Sequence, residues 1–220
     1  MILINFASQN GNKITMATNN LKINSLPPDF DINERVVRAR ENFRLKGYNC
    51  CQSVLLAYTD VLGIDEDTAA TVTSGFGGGM GRLREVCGSV SAMSMIAGFI
   101  HPAADPLIKT DRTANYALVQ EAASEFRQIN GSIICKELLG LVPKSTVDKN
   151  GIGIPSPSSA GLPAESPEPS DRTPEYYRKR PCEELIGISA RIIGEIMLRN
   201  IPKADAAETG TGPTADSAKE

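Results

Sequence analysis

Five cysteines are the residues of this chain best suited to chemistry: Cys50, Cys51, Cys87, Cys135 and Cys182. Ionised thiols attack disulfides, and they ligate soft metals and iron–sulfur clusters. No two are spaced as C-x-x-C, so the local patterns of zinc ribbons, thioredoxin-like sites and ferredoxins are absent, as is the C-x-x-C-H of covalent haem. Any shared site must be assembled by the fold from sulfurs far apart in sequence. The single histidine, His101, precedes Pro102 at a predicted helix end, where a capping role is expected. That weakens a Cys–His nucleophile or a His-rich zinc site.

Ahead of Cys87 runs "GFGGGMGRLREVCG", residues 75–88, with five glycines in seven positions. It fails as a phosphate loop, because no glycine pair has Walker spacing followed by Lys. It also fails as a dinucleotide fingerprint: the third glycine position holds Met80 or Arg82, and no strand precedes it. What remains is a flexible entry to a helix. Positive φ and close backbone packing are its expected role, with Gly77, Gly78, Gly79 and Arg82 as candidate contacts to a cofactor or anion through backbone N–H groups.

The elements that must position these residues read as helices. Asp31, with Glu34 in a D-x-x-E capping pattern, starts one that stops at Gly47. A second is expected from Asn49 to Gly63, and a short third after Asp65, ending at the glycine run. The fourth covers Arg84 to His101, the fifth Thr110 to Gly131 and the sixth Ser132 to Gly140. The seventh covers Cys182 to Leu198, with Leu185, Ile188, Ile192 and Ile196 facing inward. No alternating strand pattern of useful length is found. The expected fold is all-α: a bundle of six or seven helices with a Pro/Ser/Gly-rich insertion at 143–174 before the last. Residues 31–198 form a single domain in this reading, with 1–30 a flexible segment and 199–220 a disordered tail.

Four of the cysteines fall at predicted helix starts. Cys50 follows Asn49, Cys87 follows the glycine loop, Cys135 lies three residues after Ser132, and Cys182 follows Pro181. A helix start carries partial positive charge and free N–H donors, which favour a thiolate over a thiol. Starts of different helices can converge at one end of a bundle. Cys51, on a stripe with leucines, reads as a packing residue. Arg82 and Arg84 favour Cys87 as an attacking thiol, whereas Glu183 and Glu184 count against Cys182. Cys87, Ser91, Ser94 and Gly98 form a stripe of small residues that would admit a close helix neighbour. Met80, Met93 and Met95 read as packing.

Composition excludes other classes. With 23 basic and 26 acidic residues the formal charge is −3, which offers no footprint for nucleic acid or an anionic membrane. The longest uncharged stretch, Val86 to Ile100, is too short for a membrane span of ~20 residues. No leader is apparent, so a cytoplasmic location with reduced thiols is expected.

The segments "GYNCCQSVLLAY", "SGFGGGMGRLREVCGSVSAM", "CKELLG" and "RPCEEL", in that order, resemble the C_GCAxxG_C_C family of redox-active proteins over residues 33–198. The resemblance implies that the family cysteines fall on Cys50, Cys87, Cys135 and Cys182, with Cys51 an extra. Ser89 and Ala92 replace an Ala and a Gly of the family motif. A related domain in split-Soret cytochromes accompanies an iron–sulfur centre, so the resemblance implies a cysteine-ligated iron–sulfur cluster or other metal centre at these four positions, for electron transfer or sensing. The alternatives are a metal-free dithiol/disulfide redox protein and a helical binding module whose cysteines only pack. A redox partner is implied but unidentified, and a homodimer is allowed.

Overall fold

The computed structural model describes residues 21–144 and 166–204, together with the backbone of 146–147 and 153–154. Its elements are helical: α1 (Ile32–Arg44), α2 (Cys50–Leu55), α3 (Thr59–Leu62), α4 (Glu66–Thr73), a 3₁₀ turn (Ser74–Phe76), α5 (Gly88–Ile100), α6 (Lys109–Asn130), α7 (Cys135–Leu138), α8 (Pro174–Arg178) and α9 (Cys182–Asn200). A two-residue antiparallel pairing, β1 (Thr146–Val147) with β2 (Gly153–Ile154), lies within the insertion and sets Thr146 opposite Ile154. The protein is all-α, as its periodicity requires. The expectations for residues 1–20 and 205–220, and for most of the insertion, fall outside the described residues.

α5 and α9 pack against each other at the centre, with α1 along α9, α2 against α5, and α6 against both. α9 buries more than the predicted stripe. Ile186, Ala190, Ile193 and Met197 are enclosed alongside Leu185, Ile192 and Ile196, and Ile188 is only half-buried. Asp31 caps α1 by accepting from the Asn33 N–H, while Glu34 pairs with Arg38 one turn on instead of closing a capping box. The capping box forms at α2 instead: Asn49 accepts from Gln52, and the Gln52 side chain accepts from the Asn49 N–H.

Four expectations are corrected. The helix expected over 49–63 breaks after Leu55, because Arg35 takes the Ala57 carbonyl at 2.9 Å and the buried Tyr58 hydroxyl donates to Ala190 O at 2.6 Å. The helix expected from Arg84 starts at Gly88, so Cys87 is its N-cap. The one expected from Ser132 shrinks to Cys135–Leu138, because Ile134 lies extended opposite Val86 and Ile133 O accepts from the Cys87 N–H. Residues 21–30, expected to be loose, bury Ile23, Leu26 and Phe30. There the Leu26 N–H donates to Pro202 O and Leu26 O accepts from Ala204, which also ties down residues 201–204 of the expected tail. Among the described residues no helix is long and apolar enough to cross a membrane.

Arg35 pins α1 to α3. Only 5% exposed, it reaches Asp60 through two hydrogen bonds of 2.5 and 2.8 Å and lies over the Phe30 and Tyr58 rings. Burial raises the Asp60 pKa, but the Arg35 hydrogen bond and the charges of Arg35 and Arg38 outweigh it and hold the carboxyl below its ordinary value. A carboxylate with a depressed folded pKa stabilises above its unfolded value, near pH ~4, and loses that contribution as pH falls further. Asp60→Asn should therefore cost about 1–3 kcal/mol at pH 7 by urea unfolding, since it leaves a buried cation uncompensated. The gap to wild type should narrow below pH ~4. An unchanged gap would contradict this.

Candidate redox site

The glycine segment builds the site by its backbone path. Six of the seven residues from Gly78 to Arg84 have positive φ: Gly78, Gly79, Met80, Gly81, Arg82 and Arg84. Three of these are not glycine, each costing ~1–2 kcal/mol in that region. Bonds from Gly81 N to Gly75 O, Arg84 N to Gly78 O and Glu85 N to Gly79 O hold the winding. The chain then runs antiparallel to the segment before α7. The Cys87 N–H donates to Ile133 O at 2.9 Å, the Cys135 N–H to Glu85 O at 2.6 Å and the Lys136 N–H to Arg84 O at 3.1 Å. This pairing brings the Cys87 and Cys135 backbones onto neighbouring segments.

Two glycines allow the remaining approaches. A Cβ on Gly79 would stand 2.7 Å from Cys135 Cβ and 2.9 Å from Glu85 N. One on Gly88 would stand 2.7 Å from Phe76 O and 3.2 Å from Cys50 Cβ. The glycines thus press backbone against the cysteines, a role no larger residue can fill. Cys50 is fixed from its own side, since the Asn49 side chain caps α2 and also donates to Ser74 O at 3.0 Å. Cys182 opens α9. The acidic residues that follow it point away: Glu183 pairs with Arg44 at 2.8 Å and Glu184 with Arg40 at 2.7 Å.

Cys50, Cys87, Cys135 and Cys182 all line one cavity of about 50 Å³. Cys50 is half-buried and the other three are buried. Leu138, Leu139, Leu185 and Tyr176 close it with apolar surface, and Arg84, Arg172 and Arg180 contribute three cations; among the described residues no carboxylate or imidazole lines it. Arg172 and Arg180 lie 5.0 and 4.8 Å over the Tyr176 ring, which stacks α8 and its flanks across the site. Behind Cys87 runs a buried polar chain: Ser189 donates to Ser89 at 2.9 Å, and the Ser89 hydroxyl is 3.3 Å from Cys87 Sγ. Among the described residues, no three His, Cys, Asp or Glu side chains are placed to hold a single metal ion.

The thiols differ in acidity. The Cys50 thiol donates to Cys182; this bond and burial push the Cys50 pKa well up. Cys182 is lowered to about 7: the Cys50 hydrogen bond stabilises its thiolate, burial opposes, and Arg180, Arg172 and Arg84 add favourable charge. Burial raises Cys87 despite the Ser89 hydrogen bond, and burial followed by the Cys87 charge raises Cys135 to about 12 despite Arg84. The expected preference for Cys87 as the attacking thiol is thus reversed. Its arginine serves the shared cavity, and the glutamates expected to suppress Cys182 are engaged elsewhere. α2 and α7 are also only 6 and 4 residues long, too short for a helix-start field to overcome desolvation.

A protein-family model described as "Putative redox-active protein (C_GCAxxG_C_C)" matches residues 48–196, a span that includes all four cavity cysteines. The chain belongs to this family. No curated protein and no solved structure matches it. In this C_GCAxxG_C_C protein the cysteines predicted from helix starts line one cavity, together with Gly78 and Gly79. Gly77 instead packs on the Asn49 side chain, and Arg82 turns to Ser166 O at 2.7 Å. Cys51 is fully buried, with Sγ 4.0 Å from Met95 Sδ, and burial takes its pKa to about 12. The sequence reading overlooked Arg172, Tyr176 and Arg180. Their signal was "RTPEYYRKRPC", in which Thr173 caps a helix with Pro174 in its first turn and cations alternate with aromatics just before Cys182.

In the metal-free, reduced protein, alkylation of Cys182 should rise with pH to half-maximal thiolate near 7, ahead of the other four thiols, and Arg180→Ala should shift that midpoint upward. Peptide mass mapping after a short iodoacetamide pulse measures it. Equal labelling of all five at pH 7 would contradict it. Gly79→Ala should lower stability by about 1–3 kcal/mol in thermal unfolding. A neutral result would remove the close approach to Cys135.

Proposed function

We propose that Cys50, Cys87, Cys135 and Cys182 form one redox centre that holds an iron–sulfur cluster, used for electron transfer or sensing. The supporting observation is the convergence of four cysteines from four separate elements on one cavity that, among the described residues, no carboxylate or imidazole lines. A metal-free dithiol needs only two of them. The donor set is that of thiolate-ligated clusters, and sulfurs that rim a cavity without crowding a single point suit a polynuclear group better than one tetrahedral ion. When bound, such a cluster supplies one-electron chemistry at a potential tuned by burial and hydrogen bonds to sulfur.

The residues of the chain do the rest. Arg84, Arg172 and Arg180 offset the negative charge of four thiolates, and Leu138, Leu139 and Leu185 exclude water. Ser89 sets its hydroxyl on the Cys87 sulfur. Because Cys50, Cys87 and Cys135 hold their protons tightly, loading releases protons and is favoured by raised pH. A reducing compartment such as the cytoplasm, and a partner that exchanges electrons, complete this reading.

The opposed acidities of Cys50 and Cys182, which line the same cavity, favour a second reading. The Cys182 thiolate attacks a substrate disulfide, releasing one substrate thiol and forming a mixed disulfide. The Cys50 thiol loses its proton and displaces the second substrate thiol, leaving Cys50–Cys182 oxidised and the substrate reduced.

Anaerobic purification separates the readings. Brown protein with iron and sulfide, both lost in Cys87→Ala and in serine variants of the other three but retained in Cys51→Ser, is the expected result. Unchanged metal content in Cys87→Ala would reject the assignment. Colourless protein with a reversible two-thiol difference would select the dithiol, and five unreactive thiols a helical binding module.

A further inference from the structure

A second, more open cavity of about 420 Å³ adjoins the cysteine cavity and shares Arg84, Leu139, Tyr176 and Arg180 with it. Its volume is in the range of small-molecule sites, ~300–1,000 Å³. The walls are divided in charge. Arg84 and Arg180 stand on the shared side, and Asp171 and Glu175 contribute carboxylates to the remainder. Lys179, also in the lining, is occupied by Glu175 at 2.8 Å. Arg180 lies 4.8 Å over the Tyr176 ring, and among the described residues no carboxylate pairs with it, so its N–H fork is available. A simple anion placed here meets the carboxylates, and a simple cation meets the arginines. A ligand bearing both charges satisfies both walls.

We propose that this cavity binds a small zwitterionic thiol or disulfide of the amino-acid or short-peptide kind. Its carboxylate lies on Arg180, its ammonium lies toward Asp171, and its sulfur points through the shared wall to the cysteines. Leu139 and Tyr176 give its methylene groups apolar contact. The assignment deepens the redox reading of the neighbouring site and rests on it, since the cysteines are what a bound sulfur compound would react or exchange electrons with.

The test uses the full chain and S-methylglutathione, a zwitterionic thioether that cannot exchange with thiols, so binding is read apart from redox chemistry. Calorimetry should give saturable one-to-one binding, weakened about tenfold or more in Arg180→Ala and in Asp171→Asn, as expected for losing a charge-assisted hydrogen bond. Glutarate, which carries only the anionic arm, should bind at least ~10-fold more weakly than the zwitterion, and its affinity should not fall in Asp171→Asn. Asp171→Asn should keep the wild-type circular dichroism and iron content, which separates lost binding from lost folding. Absent binding, affinity unchanged in both variants, or glutarate binding as tightly as S-methylglutathione would each overturn the proposal. Iron and sulfide measured on the same preparation test the redox reading separately. Metal without binding defeats only the ligand assignment, and binding to a protein with neither metal nor exchangeable thiols defeats the redox reading.

Discussion

Close approach of glycine backbone to cysteine side chains is the constraint on which the rest of the structure depends. The starts of α2, α5, α7 and α9 meet at one pole only because Gly79 lies where any side chain would strike Cys135, and Gly88 where one would strike Phe76 O and crowd Cys50. The left-handed winding from Gly78 to Arg84 is the cost of that approach. The hydrogen bonds along it, and the pairing of 84–87 with 133–136, hold it in place. The segment that looks like a phosphate loop therefore works in packing, and what it packs is sulfur.

Two opposed forces then set the chemistry of the pole. Burial favours the neutral thiol and dominates at Cys87 and Cys135, while the Cys50–Cys182 hydrogen bond and three arginines favour the thiolate at Cys182. The outcome is one acidic thiol among reluctant ones, in a cavity already furnished with positive charge. Such a pole can accept further negative charge, whether from more thiolates or from a ligand next door. The adjoining cavity shares two of these three arginines, Arg84 and Arg180, so occupancy of one site is electrostatically felt by the other.

Helical character, the long helices and the four convergent cysteines were legible in the sequence, because they follow from local rules: apolar periodicity, Asp and Asn caps, and cysteine placed at helix starts. The break at Leu56–Tyr58 was not, because it depends on Arg35 and Ala190, which are remote in sequence. The shortened α5 and α7 were missed for a related reason: their first turns were given up to a pairing between segments remote in sequence, which no period records. Charge arguments from sequence neighbours misled most. Glu183 and Glu184 follow Cys182 in sequence but reach for Arg44 and Arg40, whereas Arg172 and Arg180, outside its helix, face it. A thiol's acidity is set by what faces it in space.

The most direct test of the central claim is iron-edge X-ray absorption on the anaerobically reconstituted protein. The account predicts an all-sulfur first shell with iron–iron scattering in the wild type, and loss of the bound iron with that scattering when any one of Cys50, Cys87, Cys135 or Cys182 is replaced. Iron bound mainly through nitrogen or oxygen in the wild type, or an all-sulfur shell that survives loss of Cys135 or Cys182, would contradict a single centre built by all four.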